Sequence, residues 1–401
     1  MNVQVLAKPF IKSIKVPTSK SYANRLLILG SLNREDFVLR DINLCDDVVF
    51  LVNALKKIGL TIQNLDNDLI VKGHFPNCER SESEAIDLDL GDGGTTVRFL
   101  LPLLSLGRKL YRLNLGAQIK RRPLDSLINT LNDCGAHLYW DEDVLCVQGP
   151  LQSFPQEIIV DTNKTSQFAS ALALTFSKFQ TKIKISENSA AYKYFELTEE
   201  LIKKVANGQK EFFLPADYSS LAFPMALAAV NGQVLIENCK SHDHLQADSI
   251  LLDIFTRAKV PFFFSDKGLQ CSQSLELEAF EQDCQNCQDL VPVLAYLASF
   301  AKGETNLTGL HNLKHKEVNR IEGIIKILDL FSVPWSFDEQ NCSLHIVGGK
   351  SCAPFVRWKS LPDHRMIMMV YLFMRSLNGG EIFDAHHVTK SFPSFFDLMN
   401  P

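Results

Sequence analysis

A helix with no polar face recurs six times along this chain, each copy followed by a turn and a strand. The copies run from Asn24, Val97, Gln167, Leu221, Leu290 and Arg365, as in Val97-RFLLPLLSLGRKLYRLNL. A helix that is apolar all round must be buried all round. A second pattern alternates with the first. It starts at Val49, Leu124, Ser249 and Arg320, and more weakly at Leu197, with apolar residues at i, i+3, i+4 and i+7 and then an extended segment. Such a helix keeps a polar face and belongs at a surface. Six units in two groups of three predict two pseudo-symmetric lobes of an α/β protein, with a break near Phe213-Leu214-Pro215. An N-terminal strand from Val3 to Ile14 precedes the first repeat and is expected to pair with the last unit. The predicted lobes are therefore residues 15–213 and residues 1–14 plus 214–401.

Composition removes several alternatives. The chain carries 41 basic and 46 acidic residues, a net charge of −5, so no chain-wide basic footprint for nucleic acid exists. No apolar run approaches the roughly 18 residues that a membrane span needs. Lys8, Lys12 and Lys15 interrupt the first 16 residues, so no export signal is expected there. The ten cysteines are dispersed, and Cys284 and Cys287 form the lone C-x-x-C pair. Without a second pair or nearby histidines this reads as reduced thiols, with no metal site. The expectation is a cytoplasmic monomer that binds neither nucleic acid nor membrane. The polar tract Glu79 to Glu84 reads as a solvated loop.

The chemistry-bearing residues fall just ahead of the buried helices. A helix start offers unpaired N–H groups and the positive end of the helix dipole, and both favour bound anions. The stretches are Pro17-Thr-Ser-Lys-Ser-Tyr-Ala-Asn-Arg25, Leu90-Gly-Asp-Gly-Gly-Thr-Thr-Val-Arg98, Lys120-Arg-Arg-Pro-Leu124 and Thr165-Ser-Gln167. Asp289, Asn312-Leu-Lys-His-Lys-Glu-Val-Asn-Arg320, Pro362-Asp-His-Arg-Met366 and Thr389-Lys-Ser-Phe-Pro393 follow. Each alone reads equally as a helix cap, a turn or a solvated charge run. Their recurrence at equivalent places predicts one cleft lined by Lys20, Arg25, Arg122, Lys316, Arg320, Arg365 and Lys390. Asp289 and Glu317 would be carboxylates among those cations. Such a site suits small molecules bearing phosphate and carboxylate, with acids and bases at hand for proton transfer.

The ordered set P-x-S-K-S-x-x-N-R, L-G-x-x-G-T-x-x-R, R-P, S-Q-F, K-E-x-x-R, D-H-R and T-K-S-F-P resembles the enolpyruvyl transferases, nearly end to end. Within them it resembles the branch acting on shikimate 3-phosphate rather than the UDP-sugar branch. The resemblance implies a two-lobed inside-out α/β barrel, each lobe built of three βαβαββ repeats, with the active site in the cleft between lobes. It implies transfer of the carboxyvinyl group of phosphoenolpyruvate to the 5-hydroxyl of shikimate 3-phosphate, with release of phosphate and no cofactor or metal. Shikimate 3-phosphate contacts carry over to Lys20, Ser21, Arg25, Thr165, Ser166, Gln167, Tyr194, Asp289, Asn312 and Lys316. Phosphoenolpyruvate contacts carry over to Lys20, Gly94, Arg122, Gln167, Arg320, Arg365 and Lys390. Asp289 is implied as base for the acceptor hydroxyl, and Glu317, Lys20 and His364 as candidates for proton handling.

The chain departs from that pattern at Thr18, at Tyr22-Ala23, at Asp92 (a negative charge expected near the phosphoenolpyruvate pocket), at Thr165, at Ala191 and at Asn319. These departures bear on acceptor affinity. The alternatives are a related transferase with another acceptor and a non-catalytic anion-binding paralogue.

Overall fold

The recurring apolar helices do form, and each buries nearly its whole surface. A computed structural model describes residues 1–79, 85–162, 165–179, 181–185, 192–349 and 353–401; Ala191 lies outside them. The chain divides into a continuous unit, Thr18–Leu214, and a discontinuous one, Met1–Pro17 with Pro215–Pro401.

In the continuous unit the helices Lys20–Ser31, Gly94–Leu104 and Gln167–Phe176 pack against one another in every pairing. Sheets cover them. The second repeat shows the full pattern: strand Ala85–Gly91, buried helix, parallel strand Leu110–Leu115, amphipathic helix Asp125–Asp133, then the hairpin His137–Asp141 and Val144–Gln148. The first repeat completes its sheet with a strand from the third, Glu211–Phe213, which lies parallel to Phe37–Arg40. The third keeps only the parallel pair Glu157–Val160 and Lys182–Ile185.

The discontinuous unit repeats this plan around helices Tyr218–Asn231, Val291–Phe300 and His364–Ser376, which also pack pairwise. Its middle repeat is again complete, with sheet order Glu281–Asp283, Glu304–Thr308, Ser343–Val347, Trp335–Asp338. Among the described residues its last repeat, like the third, shows no closing hairpin. Helices inside and sheets outside make each unit an inside-out α/β barrel. Among the described residues the sheets are hydrogen-bonded within themselves and not to one another.

The N-terminal segment corrects the expectation of one strand. Val3–Val5 pairs antiparallel with Gly380–Phe383 in the last repeat, whereas Phe10–Ile14 pairs parallel with Gly232–Ile236 in the fourth. Pro9 stands between them and has no N–H to continue a ladder. Gly232 makes the second pairing possible, because a Cβ there would lie 2.0 Å from the carbonyl oxygen of Phe10. A second correction concerns Glu79, which is not a solvated loop residue. Its carboxylate accepts from the Tyr111 hydroxyl and from the Arg108 N–H at 3.1 Å. The rest of that tract, residues 80–84, lies outside the described residues. Cys284 and Cys287 are buried free thiols. No described helix is long and apolar enough to cross a membrane.

Candidate active site

In the continuous unit the three buried helices start close together, and their first residues are the motif residues. Lys20 opens one helix, and its Nζ lies 2.8 Å from Asp47 Oδ2. Asp47 sits in the first turn of helix Asp46–Lys57 and is only 6% exposed at its side chain. Thr96 donates to the Asp47 carbonyl at 2.8 Å. Gly94 opens the second helix, and the Arg122 guanidinium lies directly on it: an added Cβ would be 2.8 Å from Arg122 Nη1. Gln167 opens the third. Its amide donates to Thr95 Oγ1 at 3.2 Å and its Oε1 accepts from Arg98 Nη1 at 2.7 Å. Arg98 also donates to the Pro123 carbonyl at 2.9 Å, next to Arg122. Thr165 Oγ1 accepts from the Gln167 N–H, and Ser166 is buried beside it.

Arg25 and Tyr194 are placed differently. Arg25 is 3% exposed and donates to Thr198, Ser170 and the carbonyls of Ser21 and Tyr194. Burial lowers its pKa to about 10. The Arg25 guanidinium thus ties its own helix to two others, Gln167–Phe176 and Tyr192–Ala206, from inside; Tyr194 enters that knot through its backbone, and Ser21 does likewise.

In the discontinuous unit the charges form one network. Asp289 Oδ1 accepts from Arg320 Nη1 at 2.8 Å and Lys316 Nζ at 3.2 Å, and its Oδ2 from Arg365 Nη2 at 3.2 Å. Arg320, 1% exposed, also binds Asp363 through Nε at 2.7 Å and Glu317 through Nη2 at 2.8 Å. Lys390 Nζ lies 3.1 Å from Glu317 Oε1. Asp363 caps helix His364–Ser376 by accepting from the Arg365 N–H at 2.8 Å. His364 is buried at that helix start. Asn312 lies half-buried in the turn His311–His315 and joins no hydrogen bond of this network. Burial by itself would raise the Asp289 carboxyl, but Arg365, Lys316 and Arg320 outweigh it and hold the group well below the ordinary carboxylate range. Burial likewise opposes the Arg320 charge, and the surrounding carboxylates overcome it. No three His, Cys, Asp or Glu side chains gather as metal ligands do among the described residues.

Two residues of these clusters, Asp47 and Asp248, escaped the sequence reading, and two more, Arg98 and Asp363, stood in its motifs without a role. Asp47, Arg98 and Asp363 hold Lys20, Gln167 and Arg320. Asp248 is 2% exposed, accepts from Ser219, and is pushed up to about 7 by burial and next by the charge of Asp289. Asp47 looked like an ordinary first-turn acid and Asp363 like a helix cap, and nothing in their local sequence marks the distant cation each one holds. The departures from the family pattern are absorbed locally. Thr18 donates to the Asp41 carbonyl at 2.6 Å and accepts from the Asn43 N–H. Tyr22 and Ala23 are buried in the core. Asn319 turns to Glu322 at 2.6 Å. Asp92 accepts from the N–H groups of Gln118 and Ile119 at 2.8 and 3.2 Å. Its carboxylate thereby caps the start of the helix Ala117–Lys120.

Other proteins share this architecture. An EPSP synthase from Acinetobacter baumannii superposes with a TM-score of 0.78 at 20% identity, over 99% of this chain and 97% of that one. The enolpyruvyl transferase NikO from Streptomyces tendae gives 0.75 at 12% identity, over 99% and 96%. The fold is that of the enolpyruvyl transferases. A relative from Syntrophobacter fumaroxidans (strain DSM 10017 / MPOB), named 3-phosphoshikimate 1-carboxyvinyltransferase, is 27% identical over 415 residues, covering 96% of each chain. Residues 7–399 match the family profile described as EPSP synthase (3-phosphoshikimate 1-carboxyvinyltransferase), and the chain belongs to that family.

Proposed function

We infer that this chain transfers the enolpyruvyl group of phosphoenolpyruvate to the 5-hydroxyl of shikimate 3-phosphate and releases phosphate, a step of aromatic amino acid biosynthesis. The observation that carries this reading is the state of the cations. In each unit the motif residues gather at helix starts, and Lys20, Lys316, Arg320, Arg365 and Lys390 are held by carboxylates of the chain itself. In this reading substrate phosphate and carboxylate groups compete with those carboxylates for the cations.

In this reading the two clusters serve one substrate pair. Lys20, Gly94, Arg122, Gln167, Arg320, Arg365 and Lys390 hold phosphoenolpyruvate. Lys20, Ser21, Arg25, Thr165, Ser166, Gln167, Tyr194, Asp289, Asn312 and Lys316 serve the acceptor, Arg25 by fixing the backbone of Ser21 and Tyr194. Arginine forks grip carboxylate and phosphate bidentately. A proton delivered to C3 by Glu317, Lys20 or His364 makes C2 electrophilic. The acceptor hydroxyl, losing its proton to Asp289, attacks C2 and forms a tetrahedral ketal phosphate. Loss of a C3 proton and of phosphate then leaves the enol ether. Asp289 is a weak base while three cations surround it. Substrate anions that draw Arg365 and Arg320 away restore its basicity, which couples proton abstraction to substrate arrival. The phosphorylated substrates fit a cytoplasmic enzyme.

A phosphate-release assay tests the reaction. Phosphate is expected when both substrates are present and not with either alone. Asp289→Ala is expected to lower turnover by roughly 10²–10⁴-fold, the usual scale of general acid–base catalysis. A variant with full turnover would remove that role.

A further inference from the structure

The buried helices of the continuous unit have a second end. Their starts carry the motif residues, whereas their C-terminal ends run into a cavity of about 600 Å³. Leu32 follows its helix directly, Leu106 and Lys178 lie two residues past the ends of theirs, and all three contribute to the wall. That size is in the ordinary range for small-molecule sites, roughly 300–1,000 Å³. No residue given a role in the transfer reaction lines it.

Its chemistry has two parts. Phe154 and Phe179 stack face to face with centroids 3.9 Å apart, yet they remain 39% and 36% exposed. Phe75 adds a third ring to the wall. Opposite in character are Arg34 and Lys178, both exposed and neither in an ion pair among the described residues. Glu35, the one acid in the wall, is paired with Lys210. His74 also lines the cavity, and its Nδ1 is enclosed without a hydrogen-bond partner. Its pKa is lowered by burial and then by the charges of Arg34 and Lys178. Among the described residues, two cations and an imidazole thus line this space, and the acid beside them is already paired.

We propose that this cavity binds a small aromatic carboxylate, its ring extending the Phe154–Phe179 stack and its carboxylate held by Arg34 and Lys178. An uncharged aromatic would leave the converging cations unanswered. An anion without a ring would leave the phenylalanine faces in water. Offset ring stacking and a charge-assisted contact are each worth on the order of a tenfold change in affinity.

Calorimetric titration of the whole chain with 3-phenylpropionate tests the site. Saturable binding is expected. It should weaken at least about tenfold in the Arg34→Glu/Lys178→Glu double variant and in Phe154→Ala. 3-Phenylpropanol, which has the ring without the charge, and inorganic phosphate, which has charge without the ring, should each bind at least about tenfold more weakly. The charge reversals fall on exposed side chains, so unchanged thermal unfolding of the double variant keeps the test valid even where Phe154→Ala unfolds. No binding at about 10 mM, equal binding of the alcohol, or binding that the double variant leaves untouched would each overturn the proposal. The last result would place the ligand among the substrate cations instead. The transfer reaction does not depend on any of these outcomes.

Discussion

At Gly94 a single hydrogen decides where an arginine can stand. The Arg122 guanidinium covers the position a Cβ would fill, at 2.8 Å from Nη1 and 3.0 Å from Cζ. Gly94→Ala must push that group outward, and a shift of about 1 Å in a positioning group costs up to about 100-fold. With Arg122 in its proposed role of holding substrate rather than moving protons, the expected result is a roughly 10–100-fold fall in kcat/KM for phosphoenolpyruvate, carried mainly by KM. Steady-state kinetics of the variant decide it; an unchanged KM would detach Arg122 from that substrate. Asp248 offers a prediction of another kind. Its carboxyl titrates near 7 when folded and near the ordinary value of about 3.9 when unfolded. The folded state therefore holds the extra proton between those values. The stability this provides is complete below about pH 4 and is lost as pH rises through 7. Asp248→Asn keeps an acceptor for Ser219 and removes the titration. Relative to the parent, the variant should gain roughly 1–3 kcal/mol between pH 5 and pH 8, the scale set by 1.36 kcal/mol per pKa unit. Denaturant unfolding at the two pH values measures the difference.

Helix His364–Ser376 shows how an element and a site share one residue. Asp363 is the cap of this helix through the Arg365 N–H, and it also carries the ion pair to the Arg320 Nε. Asp363→Ala removes both. It leaves a guanidinium that is 1% exposed short of a partner. Breaking one half of a buried pair costs about 3–5 kcal/mol, and losing a cap about 1 kcal/mol. Asp363→Asn keeps one oxygen for the Arg365 N–H but offers the Arg320 Nε–H an NH2 group in place of the second oxygen. It therefore retains the cap, loses the ion pair and should cost less than Asp363→Ala. The difference between the two unfolding free energies reports the cap. The apolar helices were legible in the sequence because a face that is apolar in every direction has one solution, burial on all sides. The helix-start motifs were legible because they precede those helices. The partners were not. Asp363 meets Arg320 across 43 positions and Asp47 meets Lys20 across 27. Periodicity reports the face a residue lies on and carries no information about which distant element supplies its counter-charge. For the same reason Arg25 read as a cation over a helix start, while its four hydrogen bonds lie inside the helix layer.

Over the whole chain, the two units solve the end of their third repeat differently, and this makes them unequal as folding units. The continuous unit takes the missing strand of its first sheet from within itself: Glu211–Phe213 pairs with Val38–Arg40. The discontinuous unit takes the equivalent strand from the other end of the chain: Phe10–Ile14 pairs with Gly232–Ile236 along five residues, and Val3–Val5 adds an edge to its last sheet. Phe10, fully buried, is part of that unit's core. Residues 18–214 therefore contain every strand their sheets use, and residues 215–401 lack two. A fragment of residues 18–214 is expected to unfold cooperatively by circular dichroism. A fragment of residues 215–401 is expected to lack a cooperative transition until a peptide of residues 1–17 is added. Truncation of a buried Phe costs about 3–5 kcal/mol, so Phe10→Ala in that peptide should abolish the rescue. A cooperative transition in residues 215–401 alone would mean that the N-terminal strands are an edge addition to this core and not a part it needs.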